Sequence, residues 1–188
     1  MSNKKRGRLV LYSGSSGVGK GTLLGELMKK DDTIRLSVSN TTRKPRDGEI
    51  DGVHYNFLTR EQFVDLIEKD GYLEYAEYCG NYYGTPKQQV EDMLSDGYNV
   101  FLEIEVQGGL QIMEKYPEVL SIFILPPSME SLERRLRRRG TEAEEVILKR
   151  LSEAEREMSF KDRYKYNVVN GDIDTAVNEI LEILHKEV

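Results

Sequence analysis

The stretch Gly14-Ser15-Ser16-Gly17-Val18-Gly19-Lys20-Gly21-Thr22 decides the fold. The run before it, Arg8–Ser13, is short and apolar, as in a buried strand, and leucines at helical spacing follow over Thr22–Lys30. Glycines at this spacing let successive backbone N–H groups surround an anion, and the helix N-terminus adds a favourable dipole. The pattern G-x-x-x-x-G-K therefore predicts a phosphate-binding loop whose Lys20 reaches the β- and γ-phosphates of a nucleotide. The alternative is a glycine turn with a surface lysine.

One position departs from the usual pattern. Gly21 follows Lys20, and the hydroxyl that commonly ligates magnesium comes one place later, at Thr22. We therefore expect Mg²⁺ to be held largely through water and the nucleotide phosphates.

Composition excludes several classes of protein. The chain has 188 residues and a net charge of −6, which suggests one domain and argues against general nucleic-acid binding. A single cysteine, Cys79, excludes an internal disulfide, and His54 and His185 alone do not form a zinc cluster. Apolar runs are too short for a membrane span, and the N-terminus does not resemble a signal peptide. We expect a soluble cytoplasmic protein with no membrane partner.

Strand and helix patterns alternate along the rest of the chain. Such alternation predicts an α/β fold with a parallel sheet flanked by helices. Further strands are predicted at Ile34–Val38, Tyr55–Leu58, Tyr72–Tyr78, Asn99–Ile104, Leu120–Leu125 and Tyr166–Val169. Helices are predicted at Arg60–Lys69, Pro86–Ser95, Gly109–Lys115, Met129–Arg138, Glu142–Met158 and Ile173–Lys186. The tyrosine-rich middle, about residues 39–95, is interpreted as an insertion into the α/β core.

Several segments of the chain, taken together, resemble one family. They are the phosphate loop, Ser37–Glu49, Asp51–Tyr55, Glu74–Glu77, Gly80–Thr85, Phe101–Gly108, Pro126–Ser128 and Arg139–Glu142. The combination closely resembles guanylate kinases, and the resemblance covers about residues 8–186. It implies one domain, with a core at 8–38, 96–140 and 160–188, a GMP-binding insertion at 39–95 and a helical lid at about 141–159.

Four residues are candidates for holding a phosphate. Arg43 and Arg46 lie three apart in a loop, and guanidinium groups bind phosphate bidentately. Tyr55 and Tyr83 can donate hydroxyl hydrogen bonds to the same group. In guanylate kinases the matching positions hold the phosphate of the acceptor GMP. A solvated charged loop and ordinary strand packing are the alternative interpretations.

Acidic and hydroxyl side chains suit the guanine base. Glu74 can accept from guanine N1–H and its amino group, while Ser39 and Thr85 suit O6; adenine would leave Glu74 unpaired. Glu103 and Glu105 share one face of a predicted strand. By resemblance, Glu105 is assigned to guanine and Glu103 to hydrated magnesium. Exposed surface carboxylates are the alternative interpretation.

The most basic run of the chain lies at 134–139. By resemblance, Arg135, Arg139 and Arg150 approach ATP and the transferring phosphoryl group, and Asn170 lies near adenine. The helix from Glu142 is a candidate lid that excludes water. The alternative is that this basic run lies on a solvent-exposed face of a helix.

The resemblance therefore implies reversible, Mg²⁺-dependent phosphoryl transfer from ATP to GMP or dGMP, by a monomer or homodimer. The acceptor oxygen is already anionic, so alignment and charge neutralisation suffice without a general base. A non-catalytic guanylate kinase-like interaction module is the alternative, although such modules typically have degraded phosphate loops. A kinase for another phosphorylated acceptor is a second alternative.

Overall fold

The computed structural model describes residues 5–78, 80–138 and 143–186. The strands within these ranges are β1 Leu9–Gly14, β2 Ile34–Leu36, β3 Asn40–Thr41, β4 Asn56–Phe57, β5 Tyr72–Tyr78, β6 Asn81–Pro86, β7 Asn99–Glu103, β8 Leu120–Leu125 and β9 Tyr166–Val169. The helices are α1 Lys20–Lys30, α2 Arg60–Glu68, α3 Lys87–Ser95, α4 Val106–Lys115, α5 Met129–Arg138, α6 Glu144–Met158 and α7 Ile173–Lys186, with a short 3₁₀ turn at Lys161–Arg163.

The larger sheet contains five strands in the order β2-β7-β1-β8-β9. Strand β2 pairs in parallel with β7, with Ile34 opposite Asn99, and β8 pairs in parallel with β9, with Ile122 opposite Tyr166. Strands β1 and β8 are buried along almost their whole length, as is usual for parallel strands covered on both faces. The predicted α/β class with a parallel sheet and flanking helices is confirmed.

The chain divides into two compact units. The first comprises Met1–Val10, Thr33–Leu102 and Leu110–Val119. The second comprises Leu11–Asp32, Glu103–Gly109 and Leu120–Val188.

A small mixed sheet organises much of the first unit. Its strand order is β4-β3-β6-β5, with β3 parallel to β4 and antiparallel to β6. Phe63 of α2 stacks with Tyr72 at 4.4 Å and with Tyr82 at 5.2 Å between ring centroids. A side chain at Gly84 would meet these rings, since a Cβ there would lie 2.8 Å from Tyr72 and 3.0 Å from Phe63. This aromatic packing holds the strands that carry the candidate acceptor-site residues.

In the second unit, α5 and α6 pack through a small apolar cluster. It is formed by Leu132, Leu136, Ile147 and Ala154, with Met129 and Leu151 against it. The apolar side chains of α5 recur at helical spacing, so its arginines lie on the remaining faces. This packing fixes the position of α6 against α5.

Several details differ from the sequence prediction. Strands β3 and β6 were not predicted, because β3 has two residues and β6 contains Gly84 and ends at Pro86. Pro86 was assigned to a helix, which was wrong: its backbone is extended and it caps α3, which begins at Lys87. Helix α4 begins at Val106, before the predicted Gly109, since it tolerates the Gly108–Gly109 pair. Helix α6 begins at Glu144, and Glu142 lies outside the described residues.

Among the residues that the structure describes, no helix has both the length and the apolar character needed to cross a membrane.

Candidate functional site

The phosphate loop joins β1 to α1 and has a backbone that only glycine adopts without strain. Gly14 has φ +152° and Gly19 has φ +96°, and Gly19 caps the N-terminus of α1. Space is also limited, because a Cβ at Gly14 would lie 2.5 Å from the carbonyl oxygen of Ile124. The loop thus reaches the start of α1, where backbone N–H groups and the helix dipole favour an anion.

The Lys20 side chain donates hydrogen bonds to the backbone of the phosphate loop. Its Nζ donates to the carbonyl oxygens of Gly14, at 2.7 Å, and Ser15, at 3.3 Å. Burial lowers the pKa of Lys20, while the negative charges of Glu103, Glu157 and Glu105 act in the opposite direction. The ammonium group is therefore held beside the loop among carboxylates.

Two further predicted residues fix the other side of the loop. The Asn170 side-chain amide donates to the carbonyl oxygen of Val18 at 2.8 Å. Arg135 donates to the same oxygen from Nη1 at 3.0 Å and to the Asn170 carbonyl from Nη2 at 2.7 Å. Within the described residues, Ser15 Oγ and Asn170 Oδ1 are buried and lack a hydrogen-bond partner. A bound nucleotide could satisfy such atoms.

Glu157 contacts the loop, and sequence reasoning missed it. The backbone N–H of Ser16 donates to Glu157 Oε2 at 3.2 Å. Burial raises the pKa of Glu157, and its contacts with Ser16 and Lys20 partly offset that rise. The carboxylate therefore accepts from a loop N–H group, and such groups are the donors that phosphate oxygens bind. Glu157 lies in a helix rich in Glu and Arg, so no local pattern distinguished it.

The candidate magnesium residues are also in the second unit. Glu103 is half-buried, and burial raises its pKa while Lys20 lowers it. Thr22, in the first turn of α1, is exposed, as is Gly21. Glu105, assigned to guanine from the sequence, is exposed in this same unit.

In the first unit the structure brings Arg43, Tyr55 and Tyr83 together. The Arg43 guanidinium lies 5.5 Å from the Tyr55 ring centroid, and the Tyr55 and Tyr83 rings are 6.0 Å apart, edge to face. The hydrogen bond with Glu49, and to a smaller extent one with Tyr83, raises the pKa of Arg43. Arg46 is exposed in the same loop. Sequence reasoning missed Glu49, which is ion-paired with Arg43 at 2.8 Å.

Glu74 and Thr85 form a buried pair. The Thr85 hydroxyl donates to Glu74 Oε1 at 2.6 Å, with Glu74 6% exposed and Thr85 fully buried. Burial raises the pKa of Glu74, and its hydrogen bonds with Thr85 and the charge of Lys115 counteract this. Ser39 lies in the same unit, half-buried just before β3.

The candidate residues therefore form two groups, one in each unit. Arg150 is half-buried on α6 in the second unit. Arg139 lies outside the described residues.

Comparison with known proteins extends this picture. A family model described as guanylate kinase matches residues 6–187. The chain belongs to the guanylate kinase family. A guanylate kinase of Desulfitobacterium hafniense (strain Y51) is 50% identical over 184 residues, covering 98% of this chain and 92% of that protein. One of Caldanaerobacter subterraneus subsp. tengcongensis is 49% identical over 187 residues, covering 100% of this chain and 91% of that protein.

A solved structure agrees with this assignment. The guanylate kinase of Anaplasma phagocytophilum superposes with a TM-score of 0.77 and 38% identity, covering 98% of this chain and 87% of that one. Guanylate kinases are nucleoside monophosphate kinases that transfer phosphate from ATP to GMP, and this chain is an enzyme of that kind. The predicted family and activity are confirmed, and the non-catalytic alternative is not favoured.

Proposed function

We propose that the chain performs the transfer with the two groups of residues described above. The phosphate loop, residues 14–22, binds the β- and γ-phosphates of ATP through backbone N–H groups, and Lys20 turns from the loop carbonyls to the phosphates. Asn170 lies beside adenine. The bonds from Arg135 and Asn170 to the Val18 carbonyl of the loop support this role, because a loop fixed from outside loses little entropy when it binds an anion.

On the acceptor side, Arg43, Arg46, Tyr55 and Tyr83 hold the phosphate of GMP. Two guanidinium and two phenol groups match the charge and acceptor geometry of a phosphate dianion. The proximity of Arg43 to both tyrosines supports this assignment. With its phosphate fixed, the attacking oxygen of GMP needs only alignment with the γ-phosphate.

The buried Glu74–Thr85 pair is the observation that carries the proposal for guanine. The Thr85 hydroxyl hydrogen is directed at Glu74, so Thr85 orients the carboxylate and Ser39 is the donor for guanine O6. Glu74 Oε2 then accepts from the guanine N–H groups. Glu105 adds a second carboxylate on the guanine side, as the family resemblance implies.

We propose Mg²⁺ as the metal that accompanies ATP. Glu103 and Thr22 offer the hard oxygen donors that this ion prefers. The described part of the chain contains no group of three or more His, Cys, Asp or Glu side chains able to hold a metal. An ion shared with ATP phosphates and water would supply positive charge at the transferring group. Glu103 would hold a water of that ion.

The proposed lid is residues 141–159, with the GMP-binding insertion at 39–95 and the core formed by the remaining segments. Arg135, Arg139 and Arg150 bring positive charge to the transferring phosphoryl group, and α6 excludes water that would hydrolyse ATP.

We further propose that the enzyme is cytoplasmic, acts as a monomer or homodimer in purine nucleotide metabolism, and has neither nucleic-acid nor membrane partners.

A comparison of acceptors tests this function. ADP formation from ATP and Mg²⁺ is followed with GMP, dGMP, AMP or dTMP, and each reaction is repeated with excess EDTA. We expect turnover with GMP and dGMP, almost none with AMP or dTMP, and loss of turnover in EDTA. Equal turnover with AMP would refute the assignment of Glu74, and full turnover in EDTA would refute the role of the metal.

A further inference from the structure

Glu49 is a carboxylate near the proposed acceptor site that accepts hydrogen bonds from Arg43 and Arg46. Its Oε1 accepts from Arg43 Nη2 at 2.8 Å, and its Oε2 accepts from Arg43 Nη1 at 2.9 Å. Oε2 also accepts from the backbone N–H of Arg46 at 2.7 Å. Glu49 therefore contacts both arginines that are assigned to the GMP phosphate.

Glu49 also links two positions of its own loop. The Glu49 N–H donates back to the Arg46 carbonyl at 3.0 Å, so residues 46 and 49 are joined through both backbone and side chain. The side chains of Arg43 and Glu49 are only 15% and 17% exposed. These bonds lower the pKa of Glu49 to about 2, so the carboxylate stays ionised near neutral pH.

The Arg43 guanidinium has little remaining freedom. Besides Glu49, its Nη1 donates to the Lys44 carbonyl at 2.7 Å, and its plane lies near the rings of Tyr55 and Phe57. Arginine carries five N–H donors in a rigid fork, so fixing one edge by a carboxylate determines where the other donors point. Arg46, in contrast, is held at its backbone, and its side chain remains exposed.

We propose that Glu49 is a positioning residue for the acceptor phosphate. It fixes the 43–49 loop so that the remaining donors of Arg43 and the side chain of Arg46 are directed at that phosphate before GMP arrives. This inference rests on the proposed function, in which the two arginines bind GMP. Glu49 does not touch the substrate.

Charge alone predicts the opposite effect of removing Glu49. A negative charge beside two arginines weakens their attraction for a phosphate dianion, so its loss would favour GMP binding. Positioning predicts weaker binding, because Arg43 and the loop must then be ordered by the substrate. The sign of the change in affinity therefore separates the two interpretations.

The test uses Glu49→Gln in the full-length enzyme, with Asp47→Asn as the matched control. Asp47 is exposed in the same loop, and its replacement removes the same charge without altering the bonds of Glu49. We expect the KM for GMP to rise about tenfold or more in Glu49→Gln, a change of about 1.4 kcal/mol. We expect both KM values in Asp47→Asn, and the KM for ATP in Glu49→Gln, to stay within about twofold.

Arg43→Gln and the double variant complete the cycle. If Glu49 acts through Arg43, the effect of Glu49→Gln shrinks to about threefold or less when Arg43 is already replaced. A KM for GMP that is unchanged or lower in Glu49→Gln overturns the proposal. If Arg43→Gln itself leaves the KM for GMP unchanged, the assignment of Arg43 fails instead, so the two failures are distinguishable.

The melting temperature of each variant shows whether a change in KM comes from a general loss of structure. A general loss of structure raises both KM values and lowers kcat, whereas positioning changes the KM for GMP selectively. If Glu49→Gln does not fold, Glu49→Asp carries the test, since its shorter side chain cannot keep both Arg43 bonds and the Arg46 bond. A wild-type KM for GMP in Glu49→Asp would then overturn the proposal.

Discussion

The replacement Glu74→Gln tests how the enzyme distinguishes guanine from adenine. Glu74 is 6% exposed, and its Oε1 already accepts from Thr85 at 2.6 Å. Glutamine has nearly the same size, so the packing around β5 is retained. The amide nevertheless loses the negative charge and can present an N–H group where guanine also has N–H donors.

The magnitude follows from the bonds available to the carboxylate. The Thr85 hydroxyl donates to Oε1, and Oε2 is the oxygen proposed to accept from the guanine N–H groups. A hydrogen bond to a charged group contributes about 1.5–3 kcal/mol, which corresponds to a loss of about 10- to 150-fold in kcat/KM for GMP. Turnover with AMP has no such bond to lose, so selectivity falls by about the same factor.

The assay measures kcat/KM for GMP and for AMP in a coupled reaction that detects ADP. Glu77→Gln is the matched control, because Glu77 lies on the same strand and is exposed. We expect the control to keep wild-type selectivity. Selectivity that is unchanged in a folded Glu74→Gln variant would refute the assignment of Glu74 to the guanine base.

Three further predictions concern the loop and pH. Arg135→Lys cannot keep both the bond to the Val18 carbonyl of the loop and the bond to the Asn170 carbonyl, so we expect a loss of about 1 kcal/mol in stability and about 2–4 °C in Tm, with a higher KM for ATP; Arg134→Lys, on an exposed face, should change neither. Glu157→Gln removes a negative charge beside the phosphate loop and should lower the KM for ATP about two- to fivefold, whereas the exposed Glu155→Gln should not; an unchanged or higher KM would contradict this. Burial raises the pKa of Glu74, so the carboxylate protonates at a higher pH than an ordinary glutamate. The KM for GMP should therefore rise as pH falls through that raised pKa, more steeply than in Glu74→Gln, and parallel profiles would refute this.

Elements with strong local patterns were predicted from the sequence with their observed bounds. Strand Leu120–Leu125 is a continuous apolar run, and helix Met129–Arg138 has apolar residues at helical spacing. Strands β3 and β6 exist because they pair with each other and with neighbouring strands, with Asn40 opposite Gly84. Such pairing is non-local, and no short stretch of sequence encodes it.

The candidate site likewise contains residues that a local sequence pattern or the family resemblance identifies and contacts that only the folded chain brings about. The spacing of Gly14 to Lys20 predicted the loop, and the family resemblance predicted that Arg43 lies near Tyr83, as it does in the structure. The contact between Glu157 and Ser16 joins residues 141 positions apart, so neither segment indicates the other. The direction of the Thr85 hydroxyl likewise depends on the pairing of β5 with β6, which brings Glu74 within 2.6 Å.

The most direct test of the central claim is a single-turnover measurement of GDP formation. Enzyme in excess over ATP is mixed with Mg²⁺ and GMP, using the wild type and Lys20→Met, whose melting temperatures are compared first. We predict GDP formation by the wild type and a rate about 10²–10³-fold lower in folded Lys20→Met, because a cation at the developing charge is lost. A wild-type rate in that variant, or no GDP from the wild type, would contradict the account.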